Sequence, residues 1–324
     1  MALLEVRNLE VRFPLRRGEL TALRDVSFSL DPGDRLGIVG ESGAGKSVAA
    51  FAILNLVSRP GYISAGQVLF EGEDLVNLSA AELRRIRGNR ISMIFQDPMM
   101  TLNPVLTIGT QMIECLKAHR TITTAAARQL AIEKLHAVSI PSPETRIDQY
   151  PNELSGGMRQ RVVIAIALLT DPSVIIADEP TTALDVTIQA EIMTLLLTLC
   201  ENSDVALILI THDLGVVAQV TQRTMVMYAG RIVEEGPTRE IIEHARHPYT
   251  QGLINALPER TLPGLPLNQI PGVMPSLMDI PAGCAFHPRC EQATEACRLR
   301  VPVYTGRANF RVACHWAATC EQRT

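Results

Sequence analysis

Polar and apolar residues alternate from Leu3 to Phe13 (LLEVRNLEVRF) and again in TALRDVSFSL, on either side of the polar turn LRRGEL. Two period-two runs joined in this way predict an antiparallel pair of strands over Leu3 to Leu30, closed by Asp31-Pro32-Gly33. A short apolar strand, Leu36 to Val39, comes next. Val48 to Leu56 reads as a helix that Pro60-Gly61 breaks, and AGQVLFEGEDLVNL as a hairpin turning at Gly72. Ala80 to Arg87 is a short charged helix, and the strand Ile91 to Phe95 delivers Gln96 and Asp97 into the proline-marked loop QDPMMTLNP. From Ile108 to Ser139 apolar residues fall at spacings of three and four, which predicts a helical insertion. After Asp148-Gln149-Tyr150-Pro151 a long apolar helix follows a glycine pair. A buried strand, Val174 to Ala177, a helix, Thr187 to Cys200, and a strand, VALILIT, lead to His212. Strands alternating with helices in this way place the chain in the α/β class.

Composition changes this picture little. The chain has 324 residues, 47% apolar and 20% charged, with a net charge of −4. That length allows two domains, or one large domain with an appendage, and the charge leaves no basic footprint for nucleic acid. The N-terminal stretch lacks the basic region, apolar core and cleavage site of a secretory signal. The longest apolar run, Val162 to Leu169, is far short of the roughly 20 residues that span a bilayer, so membrane association is expected to go through a partner.

The chemistry begins in LGIVGESGAGKS, Leu36 to Ser47. Gly40, Gly45, Lys46 and Ser47 fit the spacing of a phosphate-binding loop between a strand and a helix. Its glycines let successive backbone N–H groups converge on phosphate oxygens while the helix opening near Lys46 presents its positive end. Lys46 reaches the terminal phosphates and Ser47 binds Mg²⁺. Phe13 is open to two readings, a strand core residue or a platform for a purine ring.

Two further stretches carry candidate groups. Ser155-Gly156-Gly157 opens a helix, where free N–H groups and a hydroxyl make either an anion site or an ordinary cap. About 130 residues after Lys46 the apolar strand Val174 to Ala177 ends in two carboxylates, Asp178 and Glu179. Neighbouring strand residues face opposite ways, so Asp178 is suited to hold Mg²⁺ and Glu179 to polarise an attacking water. His212 stands at a strand C-terminus, where open parallel sheets bind ligands.

In this order the pieces resemble the ATP-binding subunits of ABC transporters, over residues 3 to about 250. Phe13 matches the adenine-stacking aromatic, GESGAGKS the Walker A loop, Gln96 the Q-loop, LSGGM the signature, and VIIADE Walker B. Ala183-Leu184-Asp185 matches the D-loop and His212 the switch histidine. Met158 departs from the usual glutamine of the signature, with Ser155, Gly156 and Gly157 intact. The resemblance implies a P-loop NTPase core with an antiparallel β subdomain and a helical subdomain at about 100–160. It divides the chain into an ATPase domain, 1–257, and a loop-rich, cysteine-containing extension, 258–324. ATP would be held by Phe13, Gly40, Glu41, Ser42, Gly43, Ala44, Gly45, Lys46, Ser47, Val48, Gln96, Ser155, Gly156, Gly157, Asp178, Asp185 and His212. Glu179, His212, Lys46 and Gln96 would be catalytic, and Ser47, Gln96 and Asp178 would hold Mg²⁺.

Within the family, FQDPMMTLNP, His247-Pro248-Tyr249-Thr250 and the proline-rich tail with cysteines resemble the dipeptide and oligopeptide importer branch, which also serves nickel. That resemblance implies an ATPase powering peptide import from the cytoplasmic face of the inner membrane. Its implied partners are a second ATPase subunit, in a heterodimer, two membrane permease subunits and, indirectly, a solute-binding protein. An importer of nickel or another small solute, and a soluble ABC-type ATPase without a membrane partner, are the alternatives.

The tail is a different kind of sequence. Prolines and glycines crowd the stretch from Pro258 without periodicity, which predicts a connector with little core. Cys284, Cys290, Cys297 and Cys314 then follow with spacing C-x₅-C-x₆-C-x₁₆-C, and Cys320 trails. In a reducing compartment such density favours metal over disulfides. The wide separations suit a [4Fe–4S] cluster distant from the Lys46 loop, with Zn²⁺ or free thiols as alternatives.

Overall fold

A computed structural model describes residues 2–16, 18–182, 184–257, 268–307 and 309–317. Ala183, Cys320 and most of the Pro258 connector lie outside the described residues. The strands, in chain order, are β1 (Leu4–Leu15), β2 (Gly18–Leu30), β3 (Arg35–Val39), β4 (Tyr62–Phe70), β5 (Glu73–Asp74), β6 (Ile91–Ile94) and β7 (Val174–Asp178). They continue with β8 (Ala206–Thr211), β9 (Arg223–Tyr228), β10 (Arg231–Pro237), β11 (Thr305–Arg307) and β12 (Phe310–Val312).

The chain divides into two compact units, one comprising 1–30, 35–76 and 209–324, the other 31–34 and 77–208. In the first, β1 and β2 form the expected antiparallel pair and β4 joins β1 from the other side, giving the order β2-β1-β4-β5. The alternation that predicts these strands sends Leu4, Val6, Leu9 and Val11 into the core. A bulge interrupts it where Asn8 (φ 47°) and Asp25 (φ 56°) adopt left-handed backbone and Asn8 Nδ2 donates to Asp25 Oδ1 at 2.7 Å. Short polar side chains tolerate that conformation, and an extra residue there preserves the inward phase of both strands. Opposite the bulge, Gly66 of β4 has φ +93° and lies so close to β1 that no side chain fits.

β9 pairs parallel with β3, β10 returns antiparallel on β9, and β12 and β11 extend the ladder through Glu234↔Val312 and Thr305↔Val312. The C-terminal stretch therefore has a core of its own, contrary to its composition. Phe286, Phe310, Val312 and Ala317 are buried, and the Tyr304 hydroxyl donates to Ile232 O at 2.6 Å. Scattered aromatics supply this core, and no periodicity marks them.

In the second unit β6 and β7 pair parallel and both are almost wholly buried, which is why they read as continuous apolar runs. The helical stretch after residue 107 is two helices, Ile108–His119 and Thr124–Ala137. Thr107 and Thr123 cap them by accepting N–H bonds from Thr110 and Ala126. The helix after the phosphate loop, Lys46–Ile53, is shorter than its apolar run, because Asn55 turns left-handed at φ 50°. Leu56 N then bonds Phe51 O and Asn55 N bonds Ala52 O, a Schellman closure. Among the described residues no helix is long and apolar enough to cross a membrane.

Candidate functional site

The loop Gly40 to Gly45 joins β3 to the helix Lys46–Ile53 in the first unit. Gly45 sits at φ +103°, and a Cβ there would stand 3.0 Å from Ala22 O. This left-handed residue is what lets the chain wrap and then enter the helix. Lys46 is 5% exposed and donates from Nζ to Gly40 O at 2.7 Å and Glu41 O at 3.0 Å, so its ammonium lies across the loop it is expected to serve. Ser42 and Gly43 are exposed, Ala44 and Gly45 buried, and Ser47 and Val48 half-buried on the first helical turn.

Phe13 is half-buried on β1, with its ring against Gly61, where a Cβ would stand 2.4 Å from the ring edge. His212 is exposed just past β8, and Asp213 caps the following helix through Gly215 N and Val216 N.

The second unit holds the other candidates. Asp178 is buried at the end of β7, and Glu179, next in sequence, has left-handed backbone at φ 46°. A non-glycine residue held there costs about 1–3 kcal/mol, and such strain clusters where a side chain must be aimed. Glu179 Oε2 accepts from Gln96 Nε2 at 3.0 Å and from Thr182 Oγ1 at 2.9 Å. The Q-loop and Walker B candidates are thus brought together, by β6 and β7 running in parallel register. Thr182 is a partner that sequence reasoning missed.

Ser155 caps the helix Gly156–Ala167 by accepting from Met158 N, so the methionine that departs from the family habit gives its backbone N–H to the cap. A Cβ on Gly157 would stand 2.9 Å from Ile188 Cγ2, so the signature glycine backs directly onto the helix Val186–Ser203. Asp185 caps that helix through Ile188 N at 3.0 Å. Ser47 in the first unit, and Asp178 and Gln96 in the second, each carry an oxygen of the hard type that Mg²⁺ takes.

The tail does not stand apart from the Lys46 loop. Arg289, beside Cys290, makes a bidentate pair with Glu41, at 2.7 Å from Nη1 and 3.0 Å from Nη2. Glu41 N donates to the Tyr249 hydroxyl at 2.8 Å. Tyr249 packs edge-on against Tyr228 and is tilted against Phe286, and His247 caps its helix by accepting Tyr249 N–H on Nδ1. Complete burial holds the His247 imidazole neutral, its pKa pushed down to about 3. The His-Pro-Tyr-Thr stretch therefore seats a hydroxyl under the phosphate loop.

Cys284, Cys290, Cys297 and Cys314 are free thiols. Cys284 N bonds Cys297 O at 2.8 Å, and burial, with smaller contributions from Cys297, Cys314 and Cys290, pushes the Cys284 thiol up to about 11. Among the described residues, no three His, Cys, Asp or Glu side chains form a group that could hold a metal ion. The expected metal centre is therefore not formed by these four cysteines as they stand. Zinc gains no support, because its sulfurs must all lie about 2.3 Å from one point.

Comparison with known proteins agrees with this arrangement. The ABC transporter family matches residues 23–182, and the C-terminal region of oligopeptide/dipeptide transporters matches residues 233–297. The dipeptide transport ATP-binding protein DppD of Haemophilus influenzae is 48% identical, over 97% of this chain and 96% of its own length. The oligopeptide transport ATP-binding protein OppD of the same organism is 51% identical, over 92% of each chain. Among solved structures, the dimeric post-hydrolysis state of the ATP-binding cassette MJ0796, bound to ADP and Pi, superposes with a TM-score of 0.66. It is 29% identical, over 73% of this chain and 99% of that one. With a phosphate loop at Lys46, carboxylates at the end of β7 and full-length relatives of this kind, the chain belongs to the ATP-binding family of ABC transporters, among those carrying the oligopeptide/dipeptide transporter C-terminal region.

Proposed function

We propose that this chain is the ATP-hydrolysing subunit of an importer of di- and oligopeptides. The carrying observation is that one chain combines a phosphate loop closed on Lys46 with a C-terminal region matching oligopeptide/dipeptide transporters along most of its folded part. Lys46 and the loop amides hold the phosphates of ATP, and Phe13 stacks on the base. Ser47, Asp178 and Gln96 hold Mg²⁺, which neutralises phosphate charge when bound. Glu179 orients and deprotonates the attacking water, and His212 contacts the γ-phosphate. Ser155, Gly156, Gly157 and Asp185 complete the site of a second ATPase subunit, as the dimeric form of the related cassette suggests. Nucleotide then adds attraction only to the closed pair, and hydrolysis removes it. The partners are that second subunit, in a heterodimer, two permease subunits and a solute-binding protein, with this chain at the cytoplasmic face of the inner membrane. The ATPase domain is 1–257, with a helical subdomain at about 100–160, and the extension is 258–324.

A tagged protein extracted in mild detergent should bring down integral membrane subunits together with ATPase activity that added peptide and binding protein stimulate. Lys46→Ala should lose ATP binding by at least tenfold, because a buried ammonium donating into the loop is removed. Recovery of the chain alone, without membrane subunits, would sink the importer reading.

For the tail, the proposal is that Cys284, Cys290, Cys297 and Cys314 take a [4Fe–4S] cluster, whose size spreads its ligands more widely than one ion does. Its support is that the backbone brings two of the four together, Cys284 N donating to Cys297 O at 2.8 Å. Anaerobic purification should give a brown protein with about four iron and four sulfide per chain, as that cluster type requires. A colourless protein with four alkylatable thiols would remove the cluster.

A further inference from the structure

A buried polar side chain of the tail serves the phosphate loop. Arg289 is 8% exposed, and all five of its N–H donors are used. Two meet the Glu41 carboxylate; Nε donates to Pro271 O at 2.8 Å, Nη2 to Ile270 O at 3.3 Å and Nη1 to the Tyr228 hydroxyl at 3.4 Å. Its guanidinium carbon also lies 5.9 Å from the ring centres of Tyr228 and Phe286. Glu41 follows Gly40 in the loop, and its carbonyl accepts from Lys46 Nζ. A residue 248 positions away thus grips the limb of the loop on which the catalytic lysine rests.

Charge makes this grip consequential. A phosphate loop works by presenting N–H groups and a lysine to a polyanion, and a carboxylate within it opposes that purpose. A bidentate, nearly buried guanidinium offsets the Glu41 charge and fixes where the carboxylate points, onto Arg289. Lys46 Nζ meets Glu41 at its carbonyl, whereas Arg289 meets its carboxylate. We infer that Arg289 is a positioning residue for nucleotide binding: the C-terminal extension sets the ATP affinity of the phosphate loop by neutralising and orienting Glu41. This rests on the ATP-binding role proposed above and adds a control of that site by the tail. Because Arg289 adjoins Cys290, anything that rearranges the cysteine segment acts on the same contact.

The test is an equilibrium titration of the full-length subunit with trinitrophenyl-ATP, together with KM and kcat for ATP. Arg289→Ala should weaken binding about tenfold, equivalent to about 1.4 kcal/mol, and should raise KM more than it lowers kcat. Arg289→Lys, keeping charge but losing the fork, should fall between it and wild type. The deciding variant is the double substitution Arg289→Ala with Glu41→Gln. With the carboxylate gone, the arginine has nothing to neutralise, so binding should recover most of the loss. A residue that only holds the tail together would show no such recovery. Binding within twofold of wild type for a folded Arg289→Ala, or a double variant as weak as Arg289→Ala, overturns the inference. Should Arg289→Ala fail to fold, Arg289→Lys decides instead, and unchanged binding there overturns it. Lys46→Ala is run in parallel: if it binds as wild type does, the nucleotide reading itself has failed, and this inference falls with it.

Discussion

Glu179→Gln should retain ATP affinity within about a factor of two and lose hydrolysis by roughly 10²–10⁴-fold, the contribution of a positioned general base. The substitution is nearly isosteric. Its amide oxygen can still accept from Gln96 Nε2 and Thr182 Oγ1, so the left-handed backbone at residue 179 and the loop that carries it should keep their form. What disappears is the only property the amide cannot copy, a negative oxygen able to take a proton from water. With hydrolysis blocked and binding intact, the ATP-bound pair of subunits should accumulate, visible as a shift in size-exclusion chromatography with Mg²⁺ and ATP. Full turnover in the glutamine variant would mean that another group is the base. The contrast with Lys46→Ala, which loses binding itself, separates the two roles.

Gly66→Ala should severely destabilise the first unit. The added Cβ would stand 2.5 Å from Asn8 O and 2.6 Å from both Arg7 O and Leu9 Cα, while φ at +93° is one that L side chains rarely adopt. All three obstacles are backbone, so no rotamer change relieves them, and the bulge in β1 must open or the β1–β4 ladder must part. We expect a loss of about 3 kcal/mol or more, combining backbone strain with overpacking. Gly18→Ala provides the comparison, since it also has positive φ, at +132°, but nothing within 4 Å of the new Cβ. It should cost about 1 kcal/mol, from strain alone. Calorimetric melting of both variants decides: equal losses would show that the close approach at Gly66 matters little.

What could be read in advance, and what could not, divides along sequence distance. The β1–β2 pair, the phosphate loop and the carboxylates ending β7 announce themselves through alternation, turn residues and spacing within a dozen positions. The helix after Lys46 was misjudged at its end because an asparagine, not a glycine or proline, makes the left-handed stop. The run from Ile108 to Ser139 hid a break at 120–123, since Thr123 is as good a cap as it is an ordinary polar residue. The tail fared worst. Its prolines and glycines suggested a connector, yet Tyr304, Phe286 and Phe310 find partners on β9, β10 and the helix Pro248–Asn255. Arg289 was invisible as a partner of Glu41, because no local pattern encodes a contact across 248 residues. Thr182 escaped notice for the opposite reason: three residues from Glu179, it looked like ordinary turn chemistry.

The way the two units divide the chain sets an order of assembly during synthesis. The second unit needs only residues up to 208, whereas the first gathers segments from 1–30, 35–76 and 209–324. At about 5–20 residues per second, a ribosome finishes the former roughly 6–23 s before it completes residue 324 of the latter. β10 emerges well before β12, so for part of that interval its outer edge has no neighbour. An unpaired edge is a template for pairing with another nascent chain. Premature termination anywhere between Pro237 and Phe310 therefore yields a product whose second unit is complete and whose first unit exposes a bare strand. Such truncated chains should aggregate, even though every residue of the phosphate loop, the Q-loop and Walker B is present.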